Sequence, residues 1–290
     1  MKDSIRKLNQ NEFPKALLEI PQPPKQLYVE GELPDENEYI YLTVVGSRKF
    51  SNYGKDACEK LISELAGYNI VIVSGLAHGI DAIAHKAAMK AGLKTVGVPG
   101  SGLDRKVLYP SLNRKIADEI VSKGGALLSE FDPMQRATRY TFPQRNRIMA
   151  GLAKAILVIE AGDKSGTLIT ARLATEYNRD LLVVPGSIFS PNAAGSNKLI
   201  NLGATPVSSG EEILKALGID VETKQKALDL KDPALSENER KVLEILSIEP
   251  LPRDDLIREL KLPISESNTL LSVMEIKGLI TESLGEVRMN

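Results

Sequence analysis

The chain has 290 residues, 42% hydrophobic and 4% aromatic, with one cysteine and a formal net charge of −1. That length can bury a full α/β core and still carry a small second domain. A lone Cys58 excludes internal disulfides and any thiolate metal cluster and agrees with a reducing, cytoplasmic address, while the polar residues 1–11 form neither a signal peptide nor a membrane anchor.

Residues 1–39 read as an extension joining onto the core, with Phe13-Pro14 and Pro21-Gln22-Pro23-Pro24 as extended chain and Gly31 and Pro34 as turns. From residue 40 short apolar runs alternate with amphipathic segments, which predicts a doubly wound, mostly parallel sheet. Strands are expected over 40–45, 70–74, 95–99, 126–129, 155–160, 181–185 and 205–208. Helices are expected over 52–66, 78–91, 112–122, 147–152, 166–178 and 197–202. The strands are apolar almost throughout, as burial on both faces requires. Residues 40–210 hold 21 Lys+Arg against 13 Asp+Glu, whereas residues 235–290 hold 7 against 11. The basic part is therefore the candidate for a phosphate polymer.

Gly or Ser follows most of the strands, so these loops should line one edge of the sheet, where such folds bind ligands. At the first of them Gly46 permits close approach, Ser47 donates and Arg48 adds charge, a phosphate cradle that is neither a P-loop nor a dinucleotide fingerprint. The second strand ends in Ser74-Gly75, where a dinucleotide site would place an acidic residue on the ribose. Beyond it, His78, Asp81 and His85 could share a helix face. With two histidines in the chain a metal site is not expected, and Asp81 reads better as a cap on backbone N–H groups.

The run Phe142-Pro143-Gln144-Arg145-Asn146-Arg147 places two guanidinium groups and an amide just ahead of a predicted helix. Arg forks match phosphate oxygens, and a helix start adds N–H donors. Pairing with carboxylates such as Glu130 is the competing reading. The loop Gly162-Asp163-Lys164-Ser165-Gly166-Thr167 offers hydroxyls and a lysine, and Gly195-Ser196-Asn197-Lys198 repeats the arrangement, with Lys198 expected in a first turn. Here too Ser165, Thr167 and Ser196 could act only as caps.

Taken in order, Gly46-Ser47-Arg48, the Ser74 to Asp81 stretch with His85, Phe142 to Arg147, Ser165-Gly166-Thr167 and Gly195 to Ile200 resemble the DprA/Smf family. The resemblance covers about residues 27–209 and resumes over 235–290. It implies an extended Rossmann-like domain that binds single-stranded DNA, protects incoming strands in natural transformation and loads the recombinase RecA, as a homodimer without catalysis, cofactor or metal. Carried over by position, the DNA site comprises Gly46, Ser47, Arg48, Ser74, Gly75, Phe142, Arg145, Asn146, Arg147, Ser165, Gly166, Thr167 and Lys198. Phe142, Phe189 and Tyr140 would stack on bases.

A polar linker is expected over 218–234, followed by a winged helix over 235–290. It opens on the capping box Ser236-Glu237-Asn238-Glu239 and ends in a hairpin around Gly285. Its presumed recognition helix carries Lys277 as its one base, which favours a protein-contact or auxiliary role over groove reading. Longer family members carry a helical domain ahead of the sheet, of which residues 1–39 would retain only the joining segment. Two alternatives differ in kind. A nucleotide phosphoribohydrolase would need a P-G-G-x-G-T-x-x-E context, but Glu176 stands nine residues past Thr167 rather than three. A nucleotide-binding sensor would use the same anion pocket without chemistry.

Overall fold

The structure is a computed structural model and describes residues 5–163, 165–219, 236–246, 250–283 and 285–289. They fall into two compact units, divided between Val221 and Glu222.

In the first unit, nine strands among the described residues form one sheet: β1 (Arg6–Lys7), β2 (Tyr28–Gly31), β3 (Ile40–Val45), β4 (Ile70–Ser74), β5 (Lys94–Gly97), β6 (Ala126–Ser129), β7 (Ala155–Val158), β8 (Asp180–Val183) and β9 (Thr205–Pro206). Their spatial order is β1-β2-β6-β5-β4-β3-β7-β8-β9. From β6 to β9 every pairing is parallel. The chain therefore walks outward from β3 to β6, returns to the other side of β3 and walks outward again. This is a Rossmann-like winding whose strand order reverses between β3 and β7. The segment expected only to join the core extends the sheet itself, because β2 pairs antiparallel with β6 and β1 with β2. Gly31 makes that edge possible: its φ is +86°, and a Cβ there would stand 2.4 Å from the Gly125 carbonyl oxygen.

Strand alternation sends side chains into two layers. Tyr41, Val45, Val71, Val73, Ile156 and Val158 face a core closed by α1 (Lys15–Leu18), α5 (Thr141–Leu152) and α6 (Thr167–Glu176). Leu42, Val44, Ile70, Ile72 and Leu157 face the other, closed by α2 (Asn52–Ser63), α3 (Ile80–Lys90) and α8 (Gly210–Ala216). The outer helices are α4 (Arg114–Ser122) and α7 (Ala194–Asn201). Cys58 is fully buried in the second layer, where burial pushes its thiol well up, so it is a core residue and not a nucleophile.

Two expected boundaries move in ways that matter for the site. Helix α5 begins at Thr141, so Phe142 to Arg147 lie inside its first two turns rather than ahead of it; Pro143 is tolerated in the first turn because N–H groups there have no helical acceptor. Helix α7 begins at Ala194, which puts Lys198 in its last turn rather than its first. There a lysine is favourable to the helix dipole by itself and needs no anion beside it.

The second unit comprises α9 (Glu237–Leu246), β10 (Leu251–Pro252), α10 (Arg253–Leu260), α11 (Ile264–Ile276), β11 (Ile280–Ser283) and β12 (Glu286–Met289). Its small sheet runs β10-β12-β11 over a core of Val242, Leu243, Leu256, Leu271 and Met274, a winged helix as the pattern predicts. The capping box is formed: Glu239 N–H donates to Ser236 Oγ at 3.3 Å and Ser236 N–H to Glu239 Oε2 at 2.8 Å. Of the expected linker, residues 220–234 lie outside the described residues. Among the described residues no helix is long and apolar enough to cross a membrane.

His85 sits within this fold at 0% exposure, its Nδ1 2.7 Å from Thr95 Oγ1, while the Thr95 hydroxyl lies 2.6 Å from the Ile72 carbonyl. Burial pulls its pKa from 6.5 down to about 3, so it is neutral in the fold at pH 7. As pH falls below 6.5 the unfolded chain takes up a proton that the native site refuses until about 3, so stability is lost across that window. The slope is at most about 1.4 kcal/mol per pH unit. Urea midpoints measured between pH 6.5 and 5 should fall more steeply for the wild type than for His85→Asn; parallel slopes would remove His85 as the source.

Candidate nucleic-acid interface

Where the strand order reverses, the loops after β3 and β7 part and leave a cleft of about 550 Å³. Gly46, Ser47, Arg48 and Lys49 come from the loop after β3, Ala77 and Asp81 from the turn into α3, and Arg139, Phe142, Arg145 and Asn146 from the start of α5. Gly162, Ser165, Gly166 and Thr167 close the other side at the N-terminus of α6, with Asn192 at one end. Among the described residues, four cationic side chains thus meet one carboxylate.

The floor is built on Arg145. This guanidinium is 4% exposed and donates through Nη1 to the carbonyls of Gly75 and Val98, just past the C-terminal ends of β4 and β5, while Nε donates to Asn146 Oδ1 at 3.1 Å. Gly75 is obligatory beneath it, since a Cβ there would come within 2.0 Å of Nη1. Asp81 is the countercharge: its Oδ2 accepts from Gly75 N–H at 3.1 Å and Ala77 N–H at 3.4 Å. Burial lowers Arg145 to about 10, which leaves it cationic at neutral pH, and burial likewise pushes the Asp81 carboxyl up.

The rim is laid over that floor. The Arg48 guanidinium lies 5.3 Å from the centroid of the Phe142 ring, and Phe142 in turn meets Tyr109 at 5.8 Å in a tilted pair. Gly79, at φ +84°, lets the loop after β3 press onto the start of α3; a Cβ there would stand 2.3 Å from the Ser47 carbonyl oxygen. Ser47 Oγ accepts from Lys49 N–H at 3.0 Å and turns the loop so that Arg48 and Lys49 both face the cleft. Opposite them, Ser165 Oγ accepts from Thr167 N–H at 3.2 Å. The N-cap position of α6 is Gly166, so Ser165 steadies the entry to the helix without capping it, and it lines the cleft beside the positive end of α6. Lys164 lies outside the described residues.

The structure does not gather every expected contact. Arg147 points away from the cleft, pairs with the half-buried Glu130 and donates to the Gln22 carbonyl at 2.6 Å, so the carboxylate reading holds for it. Ser74 is fully buried and donates to the Val44 carbonyl at 2.7 Å, a bond between strands rather than a donor to a ligand. Lys198 is exposed on α7 outside the cleft lining. His78 precedes α3 and is exposed while His85 is buried, and among the described residues no cluster suited to a metal exists. Conversely, Lys49, Arg139 and Asn192 line the cleft and were not singled out by motif. Lys49 simply follows Arg48, and Arg139 precedes Tyr140, whose ring it covers at 4.7 Å. Adjacency to a recognised residue was the one available signal.

As a chemical device the cleft suits anion binding. Its one lining carboxylate, Asp81, is already held by two N–H donors, and Glu176, exposed at the end of α6, pairs with Arg172 at 3.0 Å.

A family model described as DNA recombination-mediator protein A matches residues 4–218, and one described as DprA winged helix domain matches residues 225–285. Protein Smf of Escherichia coli is 37% identical over 275 residues, covering 92% of this chain and 72% of that protein. The crystal structure of DNA processing protein A from Streptococcus pneumoniae aligns with a TM-score of 0.68 at 38% identity, over 74% of this chain and 75% of that one. DNA processing protein A from Helicobacter pylori, whose structure was described for its single-stranded DNA binding mode, aligns at 0.65 and 30% identity, over 75% of this chain and 98% of that one.

The burial of Arg145 changes what its removal should do. Arg145→Ala leaves two strand-end carbonyls and Asp81 without their cation, which should lower the unfolding free energy by about 3 kcal/mol. Urea denaturation checks this, and an unchanged midpoint would show that the guanidinium does not tie the strand ends.

Proposed function

Because the chain belongs to the DNA recombination-mediator protein A family, also called DprA/Smf, we propose that it is a non-catalytic DNA-processing protein that holds single-stranded DNA in this cleft. Arg48, Lys49 and Arg139 engage phosphates, Gly46, Ser47, Ser165, Gly166 and Thr167 supply donors along the track, and Asn146 and Phe142 stand where a sugar or base would pass. Arg145 sits beneath as a fixed positive charge, and Lys198 meets strand that leaves the cleft toward α7. The observation that carries the reading is the convergence of three rim cations, a buried fourth and a helix N-terminus on one edge of a parallel sheet.

The same reading extends to the finer role. Holding a bare strand is the step that protects incoming DNA in natural transformation and presents it to RecA in the cytoplasm, and a homodimer would offer two such clefts to one strand. The family's description as a recombination mediator supports this role. A mononucleotide would fill only part of a track with several cationic stations, which disfavours a small-nucleotide sensor.

Fluorescence anisotropy with labelled oligothymidine tests the site. Affinity should fall with salt at about −0.7 in log–log slope per phosphate neutralised, and Arg48→Ala and Arg139→Ala should each weaken binding and remove about one such unit. Arg147→Ala should bind as the wild type does. A flat salt response, or displacement by thymidine monophosphate as readily as by unlabelled oligonucleotide, would overturn the assignment.

A further inference from the structure

Beside the phosphate cleft lies a second pocket of about 410 Å³ with the opposite chemistry. Tyr53, Ile159, Val184 and Pro185 give it apolar walls; among the described residues no lysine or arginine lines it, and Glu160 does. That carboxylate is 3% exposed and both oxygens are engaged by Ser51, through N–H at 2.9 Å and Oγ at 2.5 Å. The Tyr53 hydroxyl donates to the Pro185 carbonyl at 2.6 Å, which fixes a ring that is nonetheless 53% exposed. A phosphate is excluded from such a site by the carboxylate and by the lack of any cation. A flat, neutral, partly polar ring is not.

The two pockets adjoin. Their linings are joined through short stretches of chain: Asn192 Nδ2 donates to the Lys49 carbonyl at 2.8 Å, and Lys49 and Asn192 are two and one residues from Ser51 and Ala193 of the second pocket. Two residues span at most about 7 Å, the reach of a single nucleotide. Between the lining residues Ser187 and Ser190, Ile188 and Phe189 are 85% and 90% exposed. We propose that this pocket takes one unstacked nucleobase of the strand whose phosphates occupy the neighbouring cleft, with Tyr53 as its platform. The inference rests on the proposed single-stranded DNA reading and assigns separate stations to backbone and base.

The test compares the full chain with Tyr53→Ala and with Ser190→Trp, which fills the pocket, on oligothymidine and on an abasic strand of equal length. The wild type should prefer the strand with bases; both variants should bind it about fivefold or more weakly while holding the abasic strand unchanged, as loss of one stacked base demands. Equal binding of both strands by wild type and variants would overturn the proposal, as would equal weakening on both strands. Variants that alter only the elution volume would show that the pocket receives a side chain of a second copy instead. If the wild type binds neither strand, the single-stranded DNA reading itself fails, which separates the two claims.

Discussion

One buried guanidinium organises the functional edge of this protein. Arg145 holds the carbonyls that follow β4 and β5, demands glycine at position 75, and is balanced by an aspartate that in turn fixes the turn into α3. Taking a cation out of water is costly, and removal of either partner leaves the other exposed to that cost. The arrangement persists because Arg145 satisfies carbonyl groups that have no strand partner past the sheet edge. The loops bearing Arg48 and the α3 turn are thereby set against one another before any ligand arrives, so little ordering remains to be done on binding.

This constraint separates charge that shapes the site from charge that contacts a ligand. Arg145 contributes field from beneath; Arg48, Lys49 and Arg139 contribute two guanidinium forks and an ammonium at the rim. Phe142 links the two sets, because it lies under Arg48 and packs on Gly100, where a Cβ would come within 2.5 Å of the ring. Residues 40–210 carry the basic surplus, but position rather than count makes it useful: Arg105 and Arg147 are spent on Glu30, Asp118 and Glu130, leaving fewer cations at the cleft than the sum suggests.

Much of the sheet was legible in the sequence, because strands buried on both faces are apolar throughout and Gly or Ser marks their ends. The ranges 40–45, 70–74 and 126–129 coincide with β3, β4 and β6. The edge was harder. Strands β1 and β2 are short, half exposed and antiparallel, so they carry neither the apolar run nor the alternation that betrays a strand. At the site, Arg48 and Gly46 could be read because a loop after a first strand has few other duties. Arg145 and Arg147 could not be told apart, since two residues along a helix turn side chains about 200° from each other and only packing decides which face meets the cleft. Placing the start of α5 after Pro143 hid that rotation. Ser74 was misleading for a related reason: a serine at a strand end looks like a donor to solvent until its hydroxyl is seen against the Val44 carbonyl.

The C-terminal unit obeys a different electrostatic logic from the sheet. Four of its described basic side chains are engaged internally: Lys277 pairs with Glu239 at 2.7 Å, Arg253 with Glu282 at 2.7 Å, Arg258 with Asp255 at 3.0 Å, and Lys241 donates to the Leu260 carbonyl at 2.9 Å. Helix α11, the position from which a winged helix reads a groove, exposes Ile264, Val273 and Ile276 beside the hydroxyls of Ser265, Thr269 and Ser272, with no lysine or arginine between Ile264 and Ile276. A helix that must enter a major groove needs forks directed at base edges and cations directed at phosphates. With no lysine or arginine between Ile264 and Ile276 and apolar side chains outward, this helix lacks the cations that would meet a phosphate backbone, which the acidic surplus of residues 235–290 would repel. Within one chain, therefore, the winding of a parallel sheet supplies the anion site, while the winged helix keeps the shape of a DNA reader without its charge.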